Sequence, residues 1–231
     1  MEPATTMAVV TSALIGYLLG GIPFGWIVGR LKGVDIRHHG SGNIGATNAA
    51  RVLGRAWFAP IFTLDFSKGW VSVMLAAKAA SAAQDGQLAW SGWNGEGDAA
   101  LAAGVGACLG HIFPLYLRLR GGKAAATALG VMVGLAPLAA AITLAAFVVV
   151  LAASRYVSLA SMAGAVMTPI ALVLVLGTDT WVAPNLGRFV AITLLAILVL
   201  VRHRSNALRL LRGTESRIGG ARGGSRAGAK S

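Results

Sequence analysis

The chain is 231 residues long, 56% hydrophobic and only 12% charged, with a mean hydropathy of +0.71; these values describe a polytopic membrane protein and exclude an ordinary soluble domain. Its formal charge of +12 sits in short gaps between apolar runs instead of on one solvated face. That placement excludes a nucleic-acid binder and fits the Lys/Arg excess of cytoplasmic loops lying beside anionic lipid. The single cysteine, Cys108, excludes an intrachain disulfide and a cysteine-based metal cluster.

Residues 7–29 form the first apolar run, with no positive charge before them and several after, which predicts a retained span with its N-terminus outside. Gly20, Gly21 and Pro23 interrupt it and predict a kink or a close helix contact. A basic cytoplasmic loop with Arg30, Lys32, Arg37, His38 and His39 leads to a second span at 56–80. That span holds Asp65 and Lys68 at i,i+3 spacing, where they share a face and pair, either as functional groups or as a structural ion pair. Residues 81–98, with Asp85, Glu96, Asp98, Trp90 and Trp93 and no Lys or Arg, suit the outer face. The third span is 99–117. The apolar run 124–153 reads as two crossings turning near residues 134–137, because one long helix would put Arg155 and the whole basic tail outside. Spans at 159–176 and 181–201 complete seven, with the C-terminus cytoplasmic. The tail opens with a short amphipathic helix carrying Leu208, Leu210 and Leu211, and residues 217–231 have too little apolar area to order themselves. The expectation is one all-α integral membrane domain over residues 1–216 and a disordered basic tail over 217–231.

Polar motifs gather at the inner ends of these spans. In Gly40-Ser-Gly-Asn-Ile-Gly-Ala-Thr-Asn-Ala-Ala-Arg51 the glycines at 40, 42 and 45 permit a tight backbone with N–H groups turned to a ligand. Ser41, Asn43, Thr47 and Asn48 add donors, a helix starting near Ala46 aims its positive end at an anion, and Arg51 supplies a forked cation. A plain inter-helix turn is the competing account of the same residues. His111-Ile-Phe-Pro114 and Arg120-Gly-Gly-Lys123 with Thr127 form a second cluster, in which Gly121 and Gly122 turn tightly and Lys123 offers a point charge. It lacks the full spacing of a nucleotide P-loop. Arg155 to Ser158 and His203 to Asn206 add two more polar groups. No metal site is expected, since His38 and His39 are adjacent and Asp65 is the one carboxylate inside a span.

Together these motifs, with Asp65-Phe-Ser-Lys-Gly69, Arg155-Tyr-Val-Ser158 and Gly213-Thr-Glu215, resemble the bacterial acyl-phosphate-dependent glycerol-3-phosphate acyltransferases of the PlsY family. The resemblance implies a seven-span protein of the bacterial cytoplasmic membrane with a cytoplasmic active site. It implies acyl transfer from acyl phosphate to the 1-hydroxyl of sn-glycerol 3-phosphate, giving lysophosphatidic acid and phosphate without cofactor or metal, in phospholipid synthesis. Ser41, Arg51, Lys123 and His203 are then catalytic. Gly42, Asn43, Gly45, Thr47, Asn48, His111, Gly121, Gly122, Thr127, Ser158, Asn206 and Glu215 bind substrate, and an acyl-phosphate-producing enzyme is a possible partner. Two positions depart from the family pattern: Ile44 replaces a common proline and Ala124 a common glycine. A small-anion or lipid transporter is the rival reading, although no internal repeat is visible.

Overall fold

The computed structural model describes residues 3–82 and 97–218, and within them every regular element is helical. In chain order these are α1 (Pro3–Gly21), α2 (Phe24–Leu31), α3 (Ala46–Leu53), α4 (Phe58–Ala82), α5 (Gly97–Ile112), α6 (Ala125–Leu135), α7 (Pro137–Ser154), α8 (Val157–Leu176), α9 (Asn185–Arg202) and α10 (Arg204–Leu211). Among the described residues, five stretches are long and apolar enough to cross a membrane: Thr5–Leu31, Asp98–Leu117, Pro137–Ser154, Val157–Trp181 and Asn185–Arg202. Both anticipated breaks are present. Pro23 cannot continue the hydrogen-bond ladder of α1, and the chain restarts as α2. Ala136 leaves the helical region just before Pro137, which occupies the start of α7.

Two helix pairs come unusually close because their contact faces lack side chains. A Cβ on Gly16 or Gly20 of α1 would stand 2.1 Å from the carbonyl oxygens of Ala103 and Ala107. Reciprocally, one on Gly106 or Gly110 of α5 would stand 2.2 and 2.1 Å from those of Ala13 and Tyr17. Gly69 of α4 and Gly130 of α6 meet in the same way, against the Thr127 and Phe66 carbonyls at 2.2 and 2.1 Å. In lipid, where burial of apolar area gives little net drive, such small-residue contacts supply the dispersion energy that holds helices together. Helices α1, α4, α5 and α6 thereby form one group, and α7, α8 and α9 pack as a second. A core including Val73, Ile112, Val131, Ala139 and Leu172 lies where the groups meet.

The expected outer loop, with Trp90 and Trp93, lies outside the described residues, as do residues 219–231 of the expected tail. The start of that tail is placed: Arg217 stacks 5.0 Å from the Tyr156 ring centre, and Ile218 N–H donates to the Arg155 carbonyl at 2.8 Å.

Gly20→Val and Gly110→Val are expected to destabilise the protein by about 1–3 kcal/mol or more through backbone overpacking. Gly187→Ala, where a Cβ meets nothing within 4 Å, is expected to be neutral or stabilising. Thermal unfolding in detergent separates the two cases.

Candidate functional site

The loop between α2 and α3 is built around two short-range devices. Asp35 accepts from the Arg37 backbone N–H at 3.1 Å and from its guanidinium at 2.6 and 2.9 Å, opening a 3-10 turn over Ile36–His38. The Arg37 guanidinium holds the Asp35 carboxyl well below the usual carboxylate range. Beyond it the chain wraps around the Asn48 amide. Asn48 Oδ1 accepts from Ser41 N–H at 2.8 Å, and Nδ2 donates to the carbonyls of Ile36, His39 and Asn43 at 2.9, 3.1 and 2.9 Å. Gly40 takes φ +62° here, where a Cβ would stand 2.3 Å from Asn48 Oδ1. Asn48 therefore shapes the loop, with its own hydrogen-bonding capacity satisfied internally.

Gly45 opens α3 without a side-chain cap, which leaves the first-turn N–H groups of Ala46 and Thr47 without intrahelical acceptors. Both residues line a cavity of about 200 Å3, together with Ser41, Asn43, Gly45 and Arg51. Gly42 does not line it; its N–H donates to the His39 carbonyl at 3.1 Å and its φ is +69°. No carboxylate among the described residues lies within ion-pair distance of Arg51.

The second motif folds against the end of α5. Gly121 N–H donates to the Ile112 carbonyl at 3.1 Å and Gly122 N–H to that of His111 at 2.9 Å. The tight turn expected at these two glycines is present; both N–H donors are occupied within the fold, and neither residue, though assigned to substrate binding by the resemblance, lines the cavity. Their small size is what the fold requires. A Cβ on Gly121 would stand 2.2 Å from the His111 carbonyl oxygen, and one on Gly122 2.1 Å from His111 Nε2. Thr127 is likewise turned inward, fully buried, donating to the Asp65 carbonyl at 2.9 Å and 3.2 Å from His111 Nδ1. His111 and Lys123 do line the cavity.

A third polar group closes the site. Glu215 accepts from Ser158 Oγ at 2.8 Å, Asn206 Nδ2 at 2.7 Å and Arg209 Nε at 2.6 Å. Burial opposes its ionisation, but these three donors hold it below the usual range. Asn206 is thus oriented with Oδ1 toward Lys123 Nζ, to which it is hydrogen-bonded. Burial, reinforced by Arg209 and by Arg202 and Arg51 against the pull of Glu215, brings the Lys123 ammonium down to about 8. His203 is buried, and that burial takes its imidazole down to about 4. Its Nδ1 lies 2.8 Å from the Val199 carbonyl, an acceptor, so the proton sits on Nδ1 and Nε2 keeps its lone pair.

Ser158, His203, Asn206 and Glu215 also line the cavity, so residues from four sequence segments converge on one space. From this polar end the cavity continues between apolar walls that include Phe58 and Phe62 of α4, Leu129 of α6, Phe147 of α7 and Leu195 of α9. Two residues at the site had no role in the sequence reading of the motifs, Arg202 and Arg209, while Asp65, read there as half of a pair with Lys68, also lines the cavity. A signal for Arg209 was present, since Glu215 is the one acidic residue in an otherwise basic tail and calls for a partner.

Known proteins resemble this chain over most of its length. The profile of the family described as Glycerol-3-phosphate acyltransferase matches residues 10–213. A glycerol-3-phosphate acyltransferase of Brucella suis is 40% identical over 220 residues, covering 94% of this chain and 98% of the relative. One from Salinibacter ruber is 45% identical over 208 residues, covering 89% and 90%. Among solved structures, PlsY (YgiH), an integral membrane glycerol 3-phosphate acyltransferase, matches in its glycerol 3-phosphate form with a TM-score of 0.75 and 33% identity, over 91% of this chain and 96% of that one. Its lysophosphatidic acid form matches with a TM-score of 0.72 and 32% identity, over 90% and 94%.

Asn48→Ala removes every bond around which the first loop is wrapped, at an expected cost of about 1–3 kcal/mol. Asn48→Asp, which sets a carboxylate against three carbonyls, is expected to be no milder. Both are expected to weaken binding of inorganic phosphate, measured by calorimetry on purified protein.

Proposed function

This chain belongs to the glycerol-3-phosphate acyltransferase family, and we propose that it transfers a fatty acyl group from acyl phosphate to the 1-hydroxyl of sn-glycerol 3-phosphate, releasing lysophosphatidic acid and phosphate. The observation that carries this reading is the continuity of one cavity from a cationic end, with Arg51, Lys123 and the open start of α3, into apolar walls between helices. A phosphate and an acyl chain require those two environments side by side. The two crystal forms of the PlsY neighbour, with glycerol 3-phosphate and with lysophosphatidic acid, support the same acceptor and product here.

In this reading Ser41, Asn43, the first turn of α3 and Arg51 hold the phosphate of the donor, and the acyl chain lies among α4, α6, α7 and α9. Lys123, fixed by Asn206, meets the oxygens on which negative charge develops. The hydroxyl oxygen of glycerol 3-phosphate attacks the acyl carbonyl, the C–O bond to phosphate breaks, and the hydroxyl proton ends on the departing phosphate. His203, neutral and with Nε2 free of a proton, accepts a hydrogen bond from that hydroxyl and aligns it. Ser41 acts as a donor instead of a nucleophile, because among the described residues no histidine or carboxylate hydrogen-bonds its hydroxyl. Asn48 and Glu215, which line the cavity, hold these groups in place through their hydrogen bonds, and Gly42, Gly121, Gly122 and Thr127 support them from behind. Acyl phosphate is already activated, so the step calls for no cofactor, and an enzyme that makes acyl phosphate supplies the donor.

We place the protein in the bacterial cytoplasmic membrane with seven spans, α4 and the short α6 joining the five apolar stretches, as one domain over 1–216 with a 217–231 tail. The N-terminus is outside. The polar end of the cavity faces the cytoplasm, in keeping with the excess of basic residues, Arg30, Lys32, Arg118, Arg120, Arg155 and Arg204, in the short gaps between apolar runs that carry the site motifs.

Purified protein given palmitoyl phosphate and labelled glycerol 3-phosphate is expected to form labelled lysophosphatidic acid, and Lys123→Ala to lower kcat about 100- to 1,000-fold while the protein stays folded. An acyl adduct on Ser41 found by mass spectrometry would overturn the direct transfer. The charged form of Lys123 is present below its pKa and lost above it, so kcat/KM is expected to fall as pH rises through about 8. A pH–rate profile of the parent enzyme checks this.

A further inference from the structure

The two sides of the site belong to different helix groups. Lys123 lies one residue before Ala124, the N-cap of α6, and α6 packs on α4, while His203 and Asn206 follow α9, which packs on α8. Productive chemistry needs the ammonium and the imidazole at a set separation, yet each is carried by a different body. Arg202, the last residue of α9, reaches across: Nε donates to the Gly122 carbonyl and Nη2 to the Gly121 carbonyl, both at 3.2 Å. Its guanidinium also lies 5.8 Å from the Phe113 ring centre. The N–H groups of the same two glycines are taken by Ile112 and His111. Both glycine residues ahead of Lys123 are therefore held on two sides, by the end of α5 through their N–H groups and by Arg202 through their carbonyls, and the peptide group between them is held at both its ends. Directly afterwards Ala124 turns the chain, at φ +60°, into α6.

We propose that Arg202 is a positioning residue for the acyl transfer, its forked guanidinium latching the Lys123 loop to the helix end that carries His203. The proposal rests on the transfer reaction inferred above for the same site. A lysine cannot reproduce it, since an ammonium is a compact point donor and two carbonyls on successive residues call for a planar fork. The charged and titratable groups that surround Lys123 are Arg51, Arg202, His203, Arg209 and Glu215. Arg202 is among those that disfavour the ammonium form, so its charge and its fork can be read separately.

The test compares the full-length parent with Arg202→Lys and Arg202→Gln in detergent or lipid, by steady-state kinetics against pH and by amide hydrogen exchange over residues 120–124. Both variants are expected to lose about 10- to 100-fold in kcat, as misplacement by an ångström does, with KM for glycerol 3-phosphate little changed. The alkaline limb is expected to stay near 8 in the lysine variant and to move upward in the glutamine variant. Exchange over residues 120–124 is expected to quicken about tenfold in both, with α1 and α5 unchanged. Unchanged kcat per folded molecule, or losses that merely follow the folded fraction with unaltered local exchange, would sink the latch. If the parent itself transfers no acyl group the reaction reading fails, and the exchange data, which need no substrate, still decide whether Arg202 holds the loop.

Discussion

A carboxylate and an ammonium held 2.9 Å apart inside the helix bundle, Asp65 and Lys68, are the interaction from which the placement of the site descends. Both side chains are buried, where an unpaired charge is untenable, and each must also find neutral partners. Lys68 donates to the Ile22 carbonyl at 2.9 Å, an acceptor freed because Pro23 ends α1, and it lies 5.7 Å from the Phe24 ring centre. Asp65 receives Thr127 on its backbone carbonyl, and Thr127 meets His111. The break after α1, the middle of α4, the end of α5 and the start of α6 are thus tied at one node. His111 in turn fills the space against Gly122, and Gly122 precedes Lys123. The position of the lysine ammonium is traced through packing to an ion pair more than fifty residues earlier in the chain.

Charge around the cavity is partitioned by pairing. Asp35 is taken by Arg37, Asp65 by Lys68 and Glu215 by Arg209. Each carboxylate near the site is therefore neutralised by a cation other than Arg51 or Lys123. Those two line the cavity without an ion-pair partner among the described residues, beside the uncapped turn of α3. The volume is held open by small residues at lining positions, among them Ala125 and Ala128 on α6, Ser161, Gly164 and Ala165 on α8 and Ala196 on α9. Helices that pack tightly through glycine elsewhere in the fold are kept apart here, and the gap is the cavity.

The two departures from the family pattern acquire physical meaning in this setting. Ala124 adopts the left-handed conformation at φ +60°, which costs an L-residue about 1–2 kcal/mol and is the reason a glycine suits the position. Its methyl is 1% exposed within the apolar core, which offsets part of that cost. Ile44 is 3% exposed, with its carbonyl placed where a Cβ on Gly25 would stand at 1.9 Å, so the stiffness a proline would lend the loop comes instead from packing.

Hydropathy runs, proline positions and the pairing of Asp65 with Lys68 were legible because they depend on local spacing: a helix places i and i+3 on one face, and a proline removes a donor, whatever the neighbours. The polar motifs were legible as a set: any one of them reads equally as an inter-helix turn, but several on the same side of the membrane point to one site. Sequence alone did not separate a residue that faces the cavity from one that holds its neighbour in place. Gly121, Gly122 and Thr127 share a motif with Lys123, yet only Lys123 of the four lines the cavity. Asn48 looked like a ligand donor and became the centre of its own loop. Arg202 read as one more positive charge at a membrane surface. Local chemistry determined which groups this protein owns. Only the tertiary structure decided which of their hydrogen bonds are satisfied internally and which face the cavity, because that depends on partners 16 to 83 residues away, such as Thr127 for His111 and Asn206 for Lys123.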